Sequence, residues 1–390
     1  MDALFWIATV TVFYIYIGYP LILRLLPQSH LSQNHLAQSS SSRFSDQSLP
    51  TVTVIIAAFN EANCIEQTLH NKISQDYPQD KLDIIVVSDG STDATNARVQ
   101  ALAVQSPQIR LLIQAVRQGK TAALNRAILE ANGEIIVFSD ANSIYQREAI
   151  RHLVDQFSDP SVGYVTGKMV YINSDGTLVG DGCSAYMKYE NYLRSQETRI
   201  GSIVGVDGGI DAIRKTLYRP LKADQLPDFV QPLSVIEQGA RVVYCDKALL
   251  NEETTSAVST EFSMRVRVSL RAYWAMWDMK HLFNPFKFGL FSWQLLSHKL
   301  LRYLAFIPLL VAFICNIGLL EQGSIYYISF IAQCLFYSLA LLAHWGIFNG
   351  NSVSRLAYYF CVLNVASLIA FLYFLRRKKI VVWQPRGGAA

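Results

Sequence analysis

Residues 139–143, Ser-Asp-Ala-Asn-Ser, follow directly on the apolar run Ile135–Phe138, so a carboxylate, Asp140, and an amide, Asn142, stand one residue apart in a tight turn. Both can aim an oxygen at one hard cation, Mg2+ or Mn2+, which takes few protein oxygens and keeps positions open for phosphate. Two earlier apolar runs end in the same way, 51–57 in Asn60-Glu61 and 84–87 in Asp89, and Lys120 follows Gly119 in a basic loop between the second run and the turn. A single carboxylate at a strand end is ordinarily a helix cap, and Asp89 or Asp93 alone reads that way. Three on one edge, with a lysine among them, exceed what capping requires. The chemistry suits a nucleoside diphosphate. Glu61 and Asp89 offer fixed acceptors for a base and ribose, and an ion on Asp140 and Asn142 compensates the diphosphate charge. Neither G-x-x-x-x-G-K-[ST] nor a G-x-G-x-x-G after the first strand is present, so readings as an NTPase or a dinucleotide dehydrogenase lose their phosphate cradle.

The elements that must carry these residues alternate. A strand over 51–57 precedes a helix that begins at Glu61 or Asn63 and ends by Tyr77-Pro78. The run to Asp89 precedes a helix from near Thr92, and 109–133 reads strand, basic loop, helix. Strands alternating with helices predict a parallel α/β sheet, in which ligands bind beyond the carboxyl ends of the strands.

The 390-residue chain is 51% hydrophobic and only 16% charged, apolar for a purely soluble protein, and the apolar residues are concentrated. Residues 3–25 hold one charge, Arg24, and are long enough to cross a bilayer. They lack the basic start and small-residue cleavage site of a signal peptide, so they read as a retained anchor. Three further spans are expected over about 301–320, 324–345 and 356–375, while 282–296, interrupted by Pro285, Lys287 and Gly289, looks interfacial. The expected organisation is an anchor over 1–27, a Ser/Gln-rich tether over 28–49, a catalytic domain over 50–260, juxtamembrane helices over 261–300, a membrane bundle over 301–375 and a basic tail over 376–390. A net charge of +4 gives no field for nucleic acid. The six cysteines have no paired spacing and read as reduced packing residues.

The ordered series IIAAFNEA, VVSDGSTDAT, RQGKTAALN, FSDANS, GGIDAIRK and LPDFVQPLSVIEQGARVVY resembles family 2 membrane glycosyltransferases, the inverting GT-A enzymes that include synthases of hyaluronan, cellulose and poly-N-acetylglucosamine. The resemblance covers about residues 50–270 and implies a GT-A, Rossmann-like soluble domain of mainly parallel sheet with transmembrane helices at both ends. By it, Ala57, Asn60 and Glu61 line the nucleoside pocket, Asp89 holds the uracil side, and Lys120 sits near the nucleotide and sugar. Asp140 and Asn142 stand where the family has D-x-D for metal and diphosphate. The last position is Asn here, which removes one charge and implies weaker ion binding.

Asp228 stands at the family's general base; its structural alternative is a cap for the helix that Gly239 closes, and Asp224 is the rival carboxylate. The family's Q-x-x-R-W element is replaced by FSMRVRVSLRAYWAMW, residues 262–277. There Arg267 and Arg271, four apart on one helix face, are the candidates for gating the diphosphate, with Trp274 as an acceptor platform. An interfacial, positive-inside role is the alternative. Gly208, Gly209 and Asp211 read as the acceptor-side loop, the glycines allowing backbone to approach the sugar.

These readings imply a nucleotide-sugar donor, a glycan or lipid-linked acceptor, membrane lipids, and room for accessory subunits, at a cell (inner) membrane. The alternative is a catalytically silent scaffold that keeps the fold. With a cytoplasmic catalytic domain the N-terminus is outside, and three later spans leave RRKKIVVWQPR, residues 376–386, outside too, against the positive-inside rule. Either 282–299 crosses as well or one C-terminal span does not.

Overall fold

The structure, a computed structural model, describes residues 1–28, 48–172, 178–253, 258–347 and 352–379; most of the tether and most of the basic tail lie outside them. The described chain forms two compact units. One comprises Pro27–Val170 and Arg194–Glu252, the other Met1–Leu26, Tyr171–Leu193 and Glu253–Lys379. The expected domain 50–260 therefore encloses a segment, Tyr171–Leu193, that groups with the apolar helices.

The first unit is built on eight strands, β1 Val52–Ala58, β2 Leu82–Asp89, β3 Ile109–Gln114, β4 Ile135–Asp140, β5 Ile144–Tyr145, β6 Val162–Ile172, β7 Ile210–Arg214 and β8 Arg241–Glu253, in the order β3-β2-β1-β4-β7-β6-β8-β5. The first four in that order run parallel; β7 is antiparallel to β4 and β6, and β5 to β8. Alternate residues of the parallel strands enter two separate cores. Val54, Ile56, Ile84, Val86 and Val137 face one side, and Ile55, Ile85, Val87, Ile136 and Phe138 the other. Burial on both faces is why these strands are continuous Ile/Val runs rather than alternating ones. The helix Lys120–Glu130 covers the second core with Ala123, Leu124 and Ala127, while Ile65–Ile73 and Thr95–Gln105 cover the first with Ile65, Leu69, Val99 and Leu102. Each fully buried Ile, Leu or Val side chain contributes roughly 1.5–3 kcal/mol. The register sets Ala57 beside both Val87 and Asp140, so the strand ends form one edge.

Two helices begin later than the sequence implies. After β1 the backbone turns through Asn60, at φ 54°, and Cys64 N–H donates to the Glu61 carbonyl at 3.1 Å, so the helix starts at Ile65. After β2, Asp93 accepts the Thr95 amide at 3.0 Å, and the helix starts there rather than at Thr92.

In the second unit three helices, Asp2–Leu25, Ser324–His344 and Val353–Leu375, are long and apolar enough to cross a membrane. The helix Ser324–His344 exposes Ile325, Ile328, Ile331 and Leu335, as a lipid-facing helix must. The span expected over 301–320 is instead part of a pair, Leu290–Tyr303 and Phe306–Ile317, bent by 58°. Pro308 cannot donate to the Leu304 carbonyl four residues back, which breaks the helix there.

Candidate active site

The turn after β4 meets a lysine and a second carboxylate. Lys120 Nζ donates to Asp140 Oδ1 at 2.7 Å and lies 3.7 Å from Asp228 Oδ1. Burial works against the Lys120 ammonium, but Asp140 and then Asp228 outweigh it and hold its pKa above the ordinary lysine value. Lys120 opens its helix directly after Gly119, whose φ of 94° ends the loop. The same helix fixes the segment that delivers Asp228. Thr121 Oγ1 donates to the Gln225 carbonyl at 2.9 Å, Asn125 Nδ2 to the Leu221 carbonyl at 2.7 Å, and Asn125 Oδ1 accepts from the Leu221 amide at 3.1 Å and the Tyr218 hydroxyl at 2.7 Å. Asp228 is not an N-cap: Leu226 holds that position, Pro227 opens the helix Pro227–Glu237, and Asp228 follows in the first turn. Gly239, at φ 83°, lies just past the end of that helix as expected.

Gly208 lies against the Asp228 carboxylate. At φ 83°, a Cβ on it would stand 2.6 Å from both Cγ and Oδ2 of Asp228, and one on Gly209 would stand 2.7 Å from Leu250. The loop is anchored by Asp207, whose carboxylate pairs with Arg194 at 2.6 Å and accepts the Met169 amide at 3.3 Å, both charged side chains being buried. Asp211, on β7 opposite Phe138 and Thr166, is fully buried, and neither carboxylate oxygen has a hydrogen-bond partner. Burial first, then the Asp228 charge, pushes its carboxyl up to about 8.

At the ends of β1 and β2, Asp89 is buried and accepts the amides of Gln118 and Gly119, each at 2.7 Å. It thereby fixes the loop that leads into Lys120. Asn60 ties the ends of β1 and β2 together: its amide donates to Ser91 Oγ at 3.1 Å and its Oδ1 accepts the Thr92 amide at 2.8 Å. Glu61 donates its amide to Thr95 Oγ1 at 2.9 Å, and burial raises its carboxyl pKa, the Cys64 thiol opposing and Asp140 adding to the rise. Ala57 is buried beside Asp140 in the sheet. Arg267, Arg271 and Trp274 belong to the helix Val258–Asp278 of the second unit, where Trp274 Nε1 donates to the Lys378 carbonyl at 2.8 Å and the ring packs on Phe374.

Among the described residues no three His, Cys, Asp or Glu side chains cluster as a metal cage. An ion shared with a diphosphate does not need one. The donors present, the part-exposed Asp140 carboxylate and the exposed Asn142 amide in one turn, are hard oxygens and fit such an ion.

Sequence reasoning missed Thr121, Asn125, Arg194 and Asp207, together with Thr68, Asn71 and Lys72 under the turn that carries Asp140 and Asn142. The last set carried a signal. Ile65, Thr68, Leu69 and Lys72 are the buried stripe of their helix, so two polar residues interrupt an i, i+3, i+4, i+7 pattern.

With this geometry in hand, the chain can be compared with known proteins. Residues 53–218 match the family described as Glycosyl transferase family 2. The chain is 37% identical over 135 residues to a probable glycosyltransferase, YdaM, of Bacillus subtilis, covering 34% of this chain and 32% of that protein. It is 28% identical over 170 residues to a beta-monoglucosyldiacylglycerol synthase of Nostoc, covering 43% and 36%. It is likewise 28% identical over 169 residues to a poly-beta-1,6-N-acetyl-D-glucosamine synthase of Staphylococcus aureus, covering 43% and 40%. The chain thus spans roughly a third of the length of the curated relatives it matches. The solved mannosyltransferase PcManGT of Pyrobaculum calidifontis, in complex with GDP-Man and Mn2+, superposes with a TM-score of 0.65 at 23% identity over 94% of this chain and 99% of that one. That likeness establishes the shared fold. Residues 53–218 thus match glycosyl transferase family 2, and the chain shares its fold with that mannosyltransferase.

Proposed function

We propose that the chain is a membrane-bound inverting glycosyltransferase that moves a sugar from a nucleoside diphosphate sugar, a UDP-sugar by family resemblance, to a glycan or lipid-linked acceptor. One observation carries the reading: a single ammonium, Lys120, lies between the carboxylate of the metal turn, Asp140, and the carboxylate of the helix behind it, Asp228. In this reading Asp228 takes the proton of the acceptor hydroxyl as that oxygen attacks the anomeric carbon from the face opposite the diphosphate. Lys120 balances both carboxylates and faces the departing phosphates. Glu61 and Asn60 frame the nucleoside, and Asp89 acts through the loop it fixes. Asp140 and Asn142 would hold Mg2+ or Mn2+, which when bound would supply positive charge to the leaving diphosphate. Arg267 and Arg271 serve as the diphosphate gate and Trp274 as the acceptor platform, with accessory subunits as further partners. The catalytic domain is cytoplasmic, at the inner membrane. The glucolipid and polysaccharide synthases among the relatives support both acceptor classes.

The test is nucleoside diphosphate release by the detergent-purified full chain from UDP-glucose, UDP-N-acetylglucosamine and GDP-mannose, with Mn2+, Mg2+ or chelator. Diacylglycerol-containing vesicles and chito-oligosaccharides serve as acceptors. Metal-dependent turnover of one donor is expected; a chain that neither binds nor turns over any of them is a silent scaffold. Gly208→Ala should lower kcat by about 10–100-fold. A methyl at φ 83° costs roughly 1–2 kcal/mol, and relieving its 2.6 Å approach displaces the Asp228 carboxylate. A kcat within twofold of wild type would mean that Asp228 tolerates displacement and is not the base.

A further inference from the structure

The metal turn and the acceptor loop share one buried anchor. From the helix Ile65–Ile73, Thr68 Oγ1 donates to the Ala141 carbonyl at 2.6 Å, and Lys72 Nζ donates to the Ser143 carbonyl at 2.6 Å and to Asn71 Oδ1 at 3.1 Å. Asn71 closes the turn by exchanging hydrogen bonds with the Tyr145 backbone, donating to its carbonyl and accepting its amide, each at 2.8 Å. Lys72, a lysine with no exposed surface, lies 3.4 Å from the centre of the Tyr145 ring. The Tyr145 hydroxyl then reaches out of this assembly in two directions, to the Phe138 carbonyl in β4 at 3.0 Å and to the Gly209 carbonyl at 2.9 Å. Gly209 adjoins Gly208, which touches Asp228. A buried lysine loses side-chain entropy and hydration. Here it sits directly beneath the turn that carries Asp140 and Asn142, on the one ring whose hydroxyl also holds the glycine loop.

We propose that Lys72 and Tyr145 are positioning residues that register the donor end of the site, Asp140–Asn142, against the acceptor end, Gly208–Asp228, and so decide whether the activated sugar goes to the acceptor or to water. The inference rests on the transferase reading above. In both outcomes the bond from the anomeric carbon to the diphosphate oxygen breaks, the diphosphate leaves with the electron pair, and Asp228 receives a proton. The new bond is to an acceptor hydroxyl oxygen in one case and to a water oxygen in the other. Water, small and at high concentration, finds the in-line position without being held, whereas a sugar or lipid hydroxyl must be held there. Loosening the register therefore penalises transfer more than hydrolysis.

The experiment measures free sugar against transferred sugar, from the same donor and acceptor panel, for the full-length wild type, Tyr145→Phe and Lys72→Met. Tyr145→Phe keeps the ring under Lys72 and deletes only the hydroxyl; Lys72→Met keeps the chain length and deletes the amine. The ratio of hydrolysis to transfer is expected to rise about tenfold in both. It is a ratio of two fluxes through the same folded molecules, so a loss of folded protein alone does not move it. Leu102→Ala, a core truncation on another helix of the same unit, is the destabilised control. An unchanged ratio in both variants, or an equal rise in the control, would overturn the inference. If Tyr145→Phe does not fold, Lys72→Met decides alone by the same ratio. A wild type that turns over no donor would overturn the function itself, and this inference with it.

Discussion

Asp228→Asn should cut transfer by about 10²–10⁴-fold, the usual contribution of a general base, while donor affinity changes by less than about threefold. The substitution is close to isosteric, so the contact with Gly208 and the helix start at Pro227 are kept. What disappears is a group that can accept a proton. Lys120 retains its 2.7 Å partner Asp140, so its ammonium is not left unpaired, and with one negative charge fewer the diphosphate binds at least as well as before. Titration calorimetry with the donor and nucleoside diphosphate release would be measured on the same preparation. Residual activity within tenfold of wild type, with binding intact, would move the base to another carboxylate, and Asp224 would be the next to substitute. Simultaneous loss of binding would make Asp228 a structural partner of Lys120 instead.

Asp211→Asn should stabilise the protein, and the gain should grow with pH. The folded carboxyl, at about 8, lies above its ordinary value of 3.8. Between those values the folded state holds a proton that the unfolded state has released, so this group's contribution to stability is greatest below about pH 4 and falls as pH rises to about 8, beyond which it is constant. An amide does not ionise and has no such slope. The variant should therefore match wild type near pH 4–5 and exceed it by on the order of 5 °C in Tm at pH 8. Thermal unfolding of the full chain at pH 5, 6.5 and 8 reads this directly. A variant less stable than wild type at pH 8 would show that Asp211 is ionised and favourably paired, contrary to its unpartnered oxygens. The natural side chain is thus costly to the fold, in keeping with its place in the site beside Asp228.

Three of the four parallel strands, β1, β2 and β4, were legible because strands buried on both faces announce themselves as Ile/Val runs, each followed by a polar residue at its carboxyl end. The antiparallel half was not. β7 inserts between β4 and β6, and no local pattern announces a pairing between strands so far apart in the chain. Asp89 was legible as the polar end of its strand, but its partners were not: the two amides it binds come from 118 and 119, about 30 residues later. Thr121 and Asn125 lay within RQGKTAALN in plain view. Their importance appears only when the chain returns with Leu221 and Gln225 to meet them. Arg194 and Asp207 are an ion pair with both members buried, and neither neighbourhood advertises burial of a charge.

The 58° bend between Tyr303 and Phe306 bears on the side of the membrane at which the chain ends. Treated as one re-entrant element, the bent pair enters and leaves by the same face and adds no crossing. Among the described residues three candidate crossings remain, Asp2–Leu25, Ser324–His344 and Val353–Leu375, and an odd number of crossings puts the start of the first helix and the end of the last on opposite sides. The cytoplasmic sheet domain proposed above then goes with an outer N-terminus and an inner end to the last helix. Arg376, Arg377, Lys378 and Lys379, which directly follow that helix, fall where the positive-inside rule wants them. With a re-entrant pair, the proposed cytoplasmic catalytic domain and the basic residues after the last helix satisfy the positive-inside rule together.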